Sequence, residues 1–277
     1  MKSFLSWKTA RSNRVAGALV GVVLLGMGIS GVMGEDKETI GERFHRETAL
    51  SWTRVLKDVF SRKPPRPPQY KTYPDAEVIE LPEPDYRGLT LEEAIRQRRS
   101  VREYTRKPLS LEQLSQLLFA AQGITGHAFG QPLRSVPSAG ALYPFEIYVI
   151  VHRVTGLQPG VYHYAVRQHA LEVVKLGDFR RRITHAGLEQ DMLGEASVVF
   201  VLAAIFDRTR SKYGERGFRY VYMEAGHISQ NIYLQAVSLK LGSVCIGAFL
   251  DDKVNELIGV DGRKEAAIYL HAVGTRE

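Results

Sequence analysis

The segment Ser197–Phe206 (SVVFVLAAIF) constrains the fold more than any other stretch of the chain. Its nearly unbroken run of Val, Ala, Leu, Ile and Phe predicts a central strand covered on both faces. A chain that contains it must supply apolar layers for the two sides of one sheet. Residues 145–151 (FEIYVIV), Gly160–Val166, Leu171–Leu176 and Ala266–Val273 read as further strands, with a short one at Val78–Leu81. Helices are interleaved with them. Thr90 with Glu93, and Ser110 with Gln113, have capping-box spacing, which predicts helices over Leu91–Arg99 and from Ser110 to about Gln122. Phe218–Leu241 reads as a long buried helix, and Asp251 caps a short one ending near Ile258. The pattern predicts an α/β or α+β body with one sheet, occupying residues 87–277.

Two different regions precede that body. Residues 39–60 read as one amphipathic helix. Seven of the twelve prolines then fall between Pro64 and Pro84, which predicts an extended, semi-rigid arm wrapping over the globular part. These make a second region, residues 35–86. Residues 15–34 (VAGALVGVVLLGMGISGVMG) carry no charge, and twenty helical residues reach about 30 Å, one hydrocarbon thickness. Residues 1–34 therefore read as a basic leader with a transmembrane or signal helix, retained as an anchor or cleaved near Gly31–Gly34. The basic residues before the apolar stretch predict a cytoplasmic N-terminus and an extracytoplasmic body, membrane-anchored or exported.

Charge and cysteine content remove several function classes. Of the net +7, the leader supplies +4 through Lys2, Lys8, Arg11 and Arg14, so the rest carries only +3, a poor basis for a nucleic-acid face. A single cysteine, Cys245, rules out an internal disulfide and a multi-cysteine metal site; it reads as a small buried hydrophobe. The eight histidines show no HxxxH or HxH spacing, so no metal site is expected. His227, near Glu224 in the long helix, reads as a core or interface histidine.

Three segments carry candidate chemistry. Arg98-Arg99-Ser100-Val101-Arg102 offers three guanidinium groups and a hydroxyl, suited to a phosphate dianion or simply to a solvated helix C-terminus. Pro137-Ser138-Ala139-Gly140 lets a flat ring approach the backbone, or makes an ordinary turn into the strand at Phe145. Leu241–Phe249, with Gly242 and Gly247, brings amides near a cofactor, or makes a helix C-cap at Gly242 followed by a buried strand.

Taken together, in this order and spacing, the segments resemble the nitroreductase superfamily of FMN-dependent oxidoreductases. More narrowly they resemble the SagB-type dehydrogenases. The stretches RRSVREYTRKPLSLEQLSQLLFAAQGI at 98–124, RSVPSAGALYPFEIYVIV at 134–151 and SKYGERGFRYVYMEAGHISQNIYLQA at 211–236 carry the likeness. GERFHRETAL at 41–50 and YKTYPDAEVIELP at 70–82 carry its SagB-type part.

The resemblance implies an α+β fold, an α/β-type sandwich with a central mixed sheet flanked by helices. It implies FMN, with Arg98, Arg99, Ser100 and Arg102 at the phosphate and ribityl chain, and Arg276 as the only nearby basic residue to complete that site. It implies that Pro137, Ser138, Ala139 and Gly140 line the ring, often from the partner of a homodimer, and that Ile246 and Gly247 offer amides near flavin N5. The long helix 218–241 is then the candidate dimer seam. Lys212-Tyr213 matches a catalytic pair of azoline-oxidising relatives, with Lys taking a proton while the ring carbon gives hydride to the flavin. The alternative for this pair is an ordinary solvated loop. The implied substrate is a small molecule or an azoline in a modified peptide. The competing function is a membrane-tethered FMN-binding subunit for electron transfer or assembly, without turnover of its own.

Overall fold

The computed structural model describes residues 37–128 and 130–277. The basic leader and the apolar stretch at 15–34 lie outside the described residues. Among the described residues no helix is long and apolar enough to cross a membrane. The chain divides into two compact units, one ending at Phe44 and one spanning His45–Glu277.

The expected single helix over 39–60 is two helices, α1 (Ile40–Glu47) and α2 (Trp52–Phe60). The break falls where the Ser51 side chain accepts from the Arg54 N–H and starts α2 afresh. The proline-rich arm follows and contributes β1 (Val78–Glu80). Both predicted capping boxes are present. Thr90 and Glu93 start α3 (Leu91–Gln97), and Ser110 and Gln113 start α4 (Leu111–Gln122). A hairpin of β2 (Ile124–Ala128) and β3 (Gln131–Arg134) leads to β4 (Phe145–Val151), β5 (Gly160–Ala165) and β6 (Ala170–Leu176). Short helices α5 (Arg180–Ala186) and α6 (Met192–Glu195) precede β7 (Val198–Ile205). Then come α7 (Phe206–Tyr213), α8 (Gly217–Ser238), β8 (Leu241–Ile246), α9 (Asp251–Ile258) and β9 (Glu265–Thr275).

Seven strands form one sheet in the order β1-β6-β5-β4-β7-β9-β8. Every ladder in it is antiparallel, so the sheet is not the mixed one expected. The antiparallel register is nonetheless buried on both faces, as the apolar run in β7 requires. Val198, Phe200, Leu202 and Ala204 face a layer built by α4 and α8, including Leu114, Leu118, Ile228 and Ile232. Val199, Val201 and Ala203 face the opposite layer, where Ile183, Leu193, Val254 and Leu257 from α5, α6 and α9 pack.

The arm is tied to the sheet by buried polar groups rather than by apolar contact alone. The Lys71 N–H donates to Glu146 at 3.2 Å and the Tyr73 N–H to Glu172 at 3.1 Å. His163 bridges the same two carboxylates at 2.9 and 2.7 Å, and Arg208 pairs with Glu146 at 2.5 Å while donating to the Pro68 carbonyl. Burial disfavours a charged His163, yet its two carboxylate partners push its pKa up on balance.

Candidate functional site

The first and third chemistry-bearing segments meet at the β8 edge of the sheet. After α3 the chain crosses that edge, with the Val101 N–H on the Ser243 carbonyl at 2.9 Å and the Thr105 N–H on that of Thr275 at 2.8 Å. Gly242 makes this approach possible, since a Cβ there would lie 2.7 Å from the Val101 side chain. Gly242 is therefore a strand residue and not the C-cap of α8. The reversal after α8 falls on Lys240, at φ 60°.

On this platform Arg98 stacks over the Tyr233 ring, 5.0 Å from its centroid, and the Ser100 hydroxyl lies 3.1 Å from Tyr233 Oη. Tyr233 Oη accepts from the Cys245 N–H at 2.9 Å, and Tyr269 Oη donates to Cys245 Sγ at 2.8 Å. The space beside Gly247, where a Cβ would stand, lies 3.7 Å from the Tyr269 ring. Arg98, Ser100, Tyr233, Cys245 and Tyr269 thus form one chain of contacts, and Gly247 follows Cys245 by two residues. Burial raises the phenol pKa of Tyr233 and Tyr269, so both remain neutral hydrogen-bonding groups. Behind them His271 is fully buried, which pushes its pKa down to about 3; its Nδ1 lies 2.9 Å from the Ser229 hydroxyl.

Arg99 and Arg102 are exposed beside Arg98. Among the described residues none of these three arginines meets a carboxylate. Arg99 donates to the Arg96 and Arg98 carbonyls at 3.1 and 2.7 Å and so closes the C-terminal end of α3, while Arg98 reaches Tyr233. The donor set suits a phosphate. Cys245 corrects the expectation of an inert buried hydrophobe: it is half-buried and contacts two phenols. Arg276 is exposed and follows Thr275, which pairs with Leu241 at the opposite end of β8 from Ile246–Gly247. The structure brings it into no contact with Arg98 or Ser100.

The second segment assembles elsewhere, with Lys212-Tyr213. Ala139–Ala141 form one 3-10 turn in which Gly140 sits at φ 64°, a left-handed conformation that disfavours a side chain. A Cβ at Gly140 would stand 3.0 Å from Lys212 Nζ and 2.9 Å from Tyr213 Oη. Lys212 and Tyr213 lie in the last turn of α7 and not in a loop. The Lys212 carbonyl accepts from Lys63 Nζ at 2.8 Å, and the Tyr213 ring packs edge-on against Tyr220 of α8 at 5.0 Å. Pro137 is exposed at the start of this turn. Ser138 accepts from the Tyr143 N–H at 2.9 Å and hydrogen-bonds the buried carboxyl of Glu224. Burial outweighs that bond and the nearby charge of Arg134, raising the Glu224 pKa to about 7.

The two assemblies use opposite faces of α8. Tyr220 and Glu224 serve the Ser138–Gly140 turn, whereas Ser229 and Tyr233 serve the Arg98–Ser100 platform. Glu224 and Tyr233 are nine residues apart, which is about 13 Å along the axis and half a turn around it. One chain therefore carries two separated assemblies. Residue pattern did not identify Tyr233, Tyr269 or Glu224; their only signal was density of aromatic and polar residues in elements expected to be buried. His227 is exposed on α8 and so is not a core histidine. Among the described residues no cluster of His, Cys, Asp and Glu could hold a metal ion.

The family model described as "Nitroreductase family" matches residues 95–275. The chain belongs to the nitroreductase family. A Methanocaldococcus jannaschii protein named as a nitroreductase is 42% identical over 200 residues, covering 72% of this chain and 98% of that one. The microcin B17-processing protein McbC of Escherichia coli is 30% identical over 150 residues, covering 52% of this chain and 55% of McbC. A solved nitroreductase-like structure from Anabaena variabilis superposes with a TM-score of 0.69 at 26% identity, over 85% of this chain and 46% of that one. This nitroreductase chain thus spans about half of the second and third of these relatives and nearly all of the first.

Proposed function

We propose that this nitroreductase is an FMN-dependent oxidoreductase of the SagB type, acting as a homodimer on a small molecule or on an azoline in a modified peptide. One observation carries the reading. Arg98 and Ser100, flanked in the chain by the exposed Arg99 and Arg102, are linked through Tyr233 to Cys245, two residues before the exposed Gly247. That strip offers a phosphate site at one end and amides at the other, which are the donors FMN requires. Bound FMN supplies hydride exchange at its ring. The protein's part is to hold the phosphate on Arg98, Arg99, Ser100 and Arg102 and to present the amides near Ile246–Gly247. Pro137–Gly140 close over the ring from a second copy. Lys212 Nζ takes a proton from the substrate, with Tyr213 Oη beside it.

The separation of the two half-sites on α8 supports the dimer, because one copy does not bring them together. The likeness to a microcin-processing protein supports the narrower SagB-type reading. We further propose that residues 15–34 anchor the chain and leave its body extracytoplasmic, a reading that a reporter fused after Glu277 tests. The test of function is flavin content. Purified full-length protein is expected to carry stoichiometric FMN, identified by absorbance and by chromatography of the released flavin. An Arg98→Ala/Arg102→Ala variant is expected to lose it. A colourless protein that takes up no added FMN overturns the enzyme reading.

A further inference from the structure

A cavity of about 400 Å³ opens between the α1–α2 break, the start of the arm and the α7–α8 junction. Tyr213 forms part of its wall. Its lining holds six basic side chains against three acidic ones. Lys63 is neutralised by Asp58 at 2.9 Å, and Arg210 by Glu215 and Asp207 at 2.6 and 2.7 Å. Arg54, Lys57, Arg62 and Arg216 meet no carboxylate among the described residues.

Arg54 and Arg216 are the informative pair, because both are half-buried. They grip the α1–α2 break: Arg54 donates to the Arg46 and Ala49 carbonyls and Arg216 to that of Thr48. Those bonds explain why the side chains are fixed there. They do not neutralise the charge. Each bond uses a single terminal nitrogen, Nη1, so each fork retains other N–H donors. Two fixed guanidinium groups that meet no carboxylate, set in a concave site, favour an anion, and a planar carboxylate matches the fork.

We propose that this cavity receives a carboxylate on the substrate, held by Arg54 and Arg216 with Lys57 and Arg62 at the rim. The occupant is thereby placed against Tyr213. The proposal assigns a substrate class to the Lys212–Tyr213 site and rests on that reading of the site. It also gives the α1–α2 region a function beyond covering the body, since α2 supplies Arg54 and Lys57, two of the four side chains assigned to the anion.

The experiment is calorimetric titration of the full-length protein with 4-nitrobenzoate and with 4-nitrobenzyl alcohol, near-isosteres that differ in charge. 4-Nitrobenzoate is expected to bind about tenfold more tightly, the size of one charge-assisted contact. Arg54→Gln/Arg216→Gln should remove that preference, weakening 4-nitrobenzoate far more than the alcohol. If this variant fails to fold, Lys57→Gln/Arg62→Gln, at exposed positions, should reduce the preference about threefold. Equal affinity for the two probes, or a preference that survives both double variants, overturns the proposal. Flavin content is read on the same preparations. Colourless protein that still selects 4-nitrobenzoate through these arginines sinks the enzyme reading alone, whereas flavin-loaded protein without selectivity sinks the cavity assignment alone.

Discussion

The position a side chain would take at Gly140 lies 3.0 Å from Lys212 Nζ. The turn proposed to line the flavin ring thus leaves no room for a side chain beside the lysine proposed to accept a proton, 72 positions further along the chain. Gly140 at φ 64° is the residue that permits this approach. Gly140→Ala is expected to cost about 1–2 kcal/mol in backbone strain. It should also displace Lys212 and Tyr213, lowering kcat by more than the stability loss implies. Thermal unfolding and steady-state kinetics on the same preparation check this. Full activity in a folded Gly140→Ala protein would disconnect the turn from the pair.

Tyr233 links the phosphate end of the strip to β8 through one oxygen. Tyr233→Phe removes the acceptor of the Cys245 N–H and the partner of Ser100. The expected cost is about 1–2 kcal/mol, with weaker FMN retention. Denaturant unfolding and the fraction of flavin surviving gel filtration measure the two effects.

Glu224 supplies a pH test. Its folded pKa of about 7 is raised above the ordinary 4.5, chiefly by burial. The protonated form is favoured in the folded state, so its stabilising contribution is full below pH 4.5 and is lost as pH rises through 7. The loss approaches about 3 kcal/mol above pH 7. Glu224→Gln should therefore gain stability relative to the parent between pH 5 and pH 8. Urea unfolding at both values reads the difference, and a parallel shift of the two proteins would show that Glu224 stays ionised in the fold.

Much of this architecture was legible in the sequence. The alternation hidden in the apolar run of β7 is resolved by the register, which sends Phe200 one way and Val201 the other. Ser110 and Gln113 marked α4 because a capping box is local chemistry. The break between α1 and α2 was not legible, because the apolar period continues through it and the interruption comes from Ser51 and from arginines distant in sequence. Strand direction was hidden for the same reason: pairing is a long-range property, and an apolar run buried on both faces fits either sense. Arg98 and Ser100 stood out as a motif, whereas Tyr233 and Tyr269 became site residues only when β8 and β9 placed Cys245 between them.

Arg208 is buried and pairs with Glu146, which His163 also contacts. Arg208→Met should destabilise the fold by about 3 kcal/mol or more, because it leaves Glu146 charged in the interior with one partner removed. It also deletes the bond to the Pro68 carbonyl. The arm should then become the first site of limited proteolysis. Cleavage elsewhere, with the arm intact, would show that other contacts hold it.

The most direct test of the two half-sites is subunit complementation. One copy carries Arg98→Ala/Arg102→Ala and the other Gly140→Phe, with different affinity tags. Each variant alone should purify without flavin. The doubly tagged species should carry one FMN per two chains, because the intact platform of one copy meets the intact turn of the other. A doubly tagged dimer without flavin, beside a loaded parent protein, would contradict a site built from two chains.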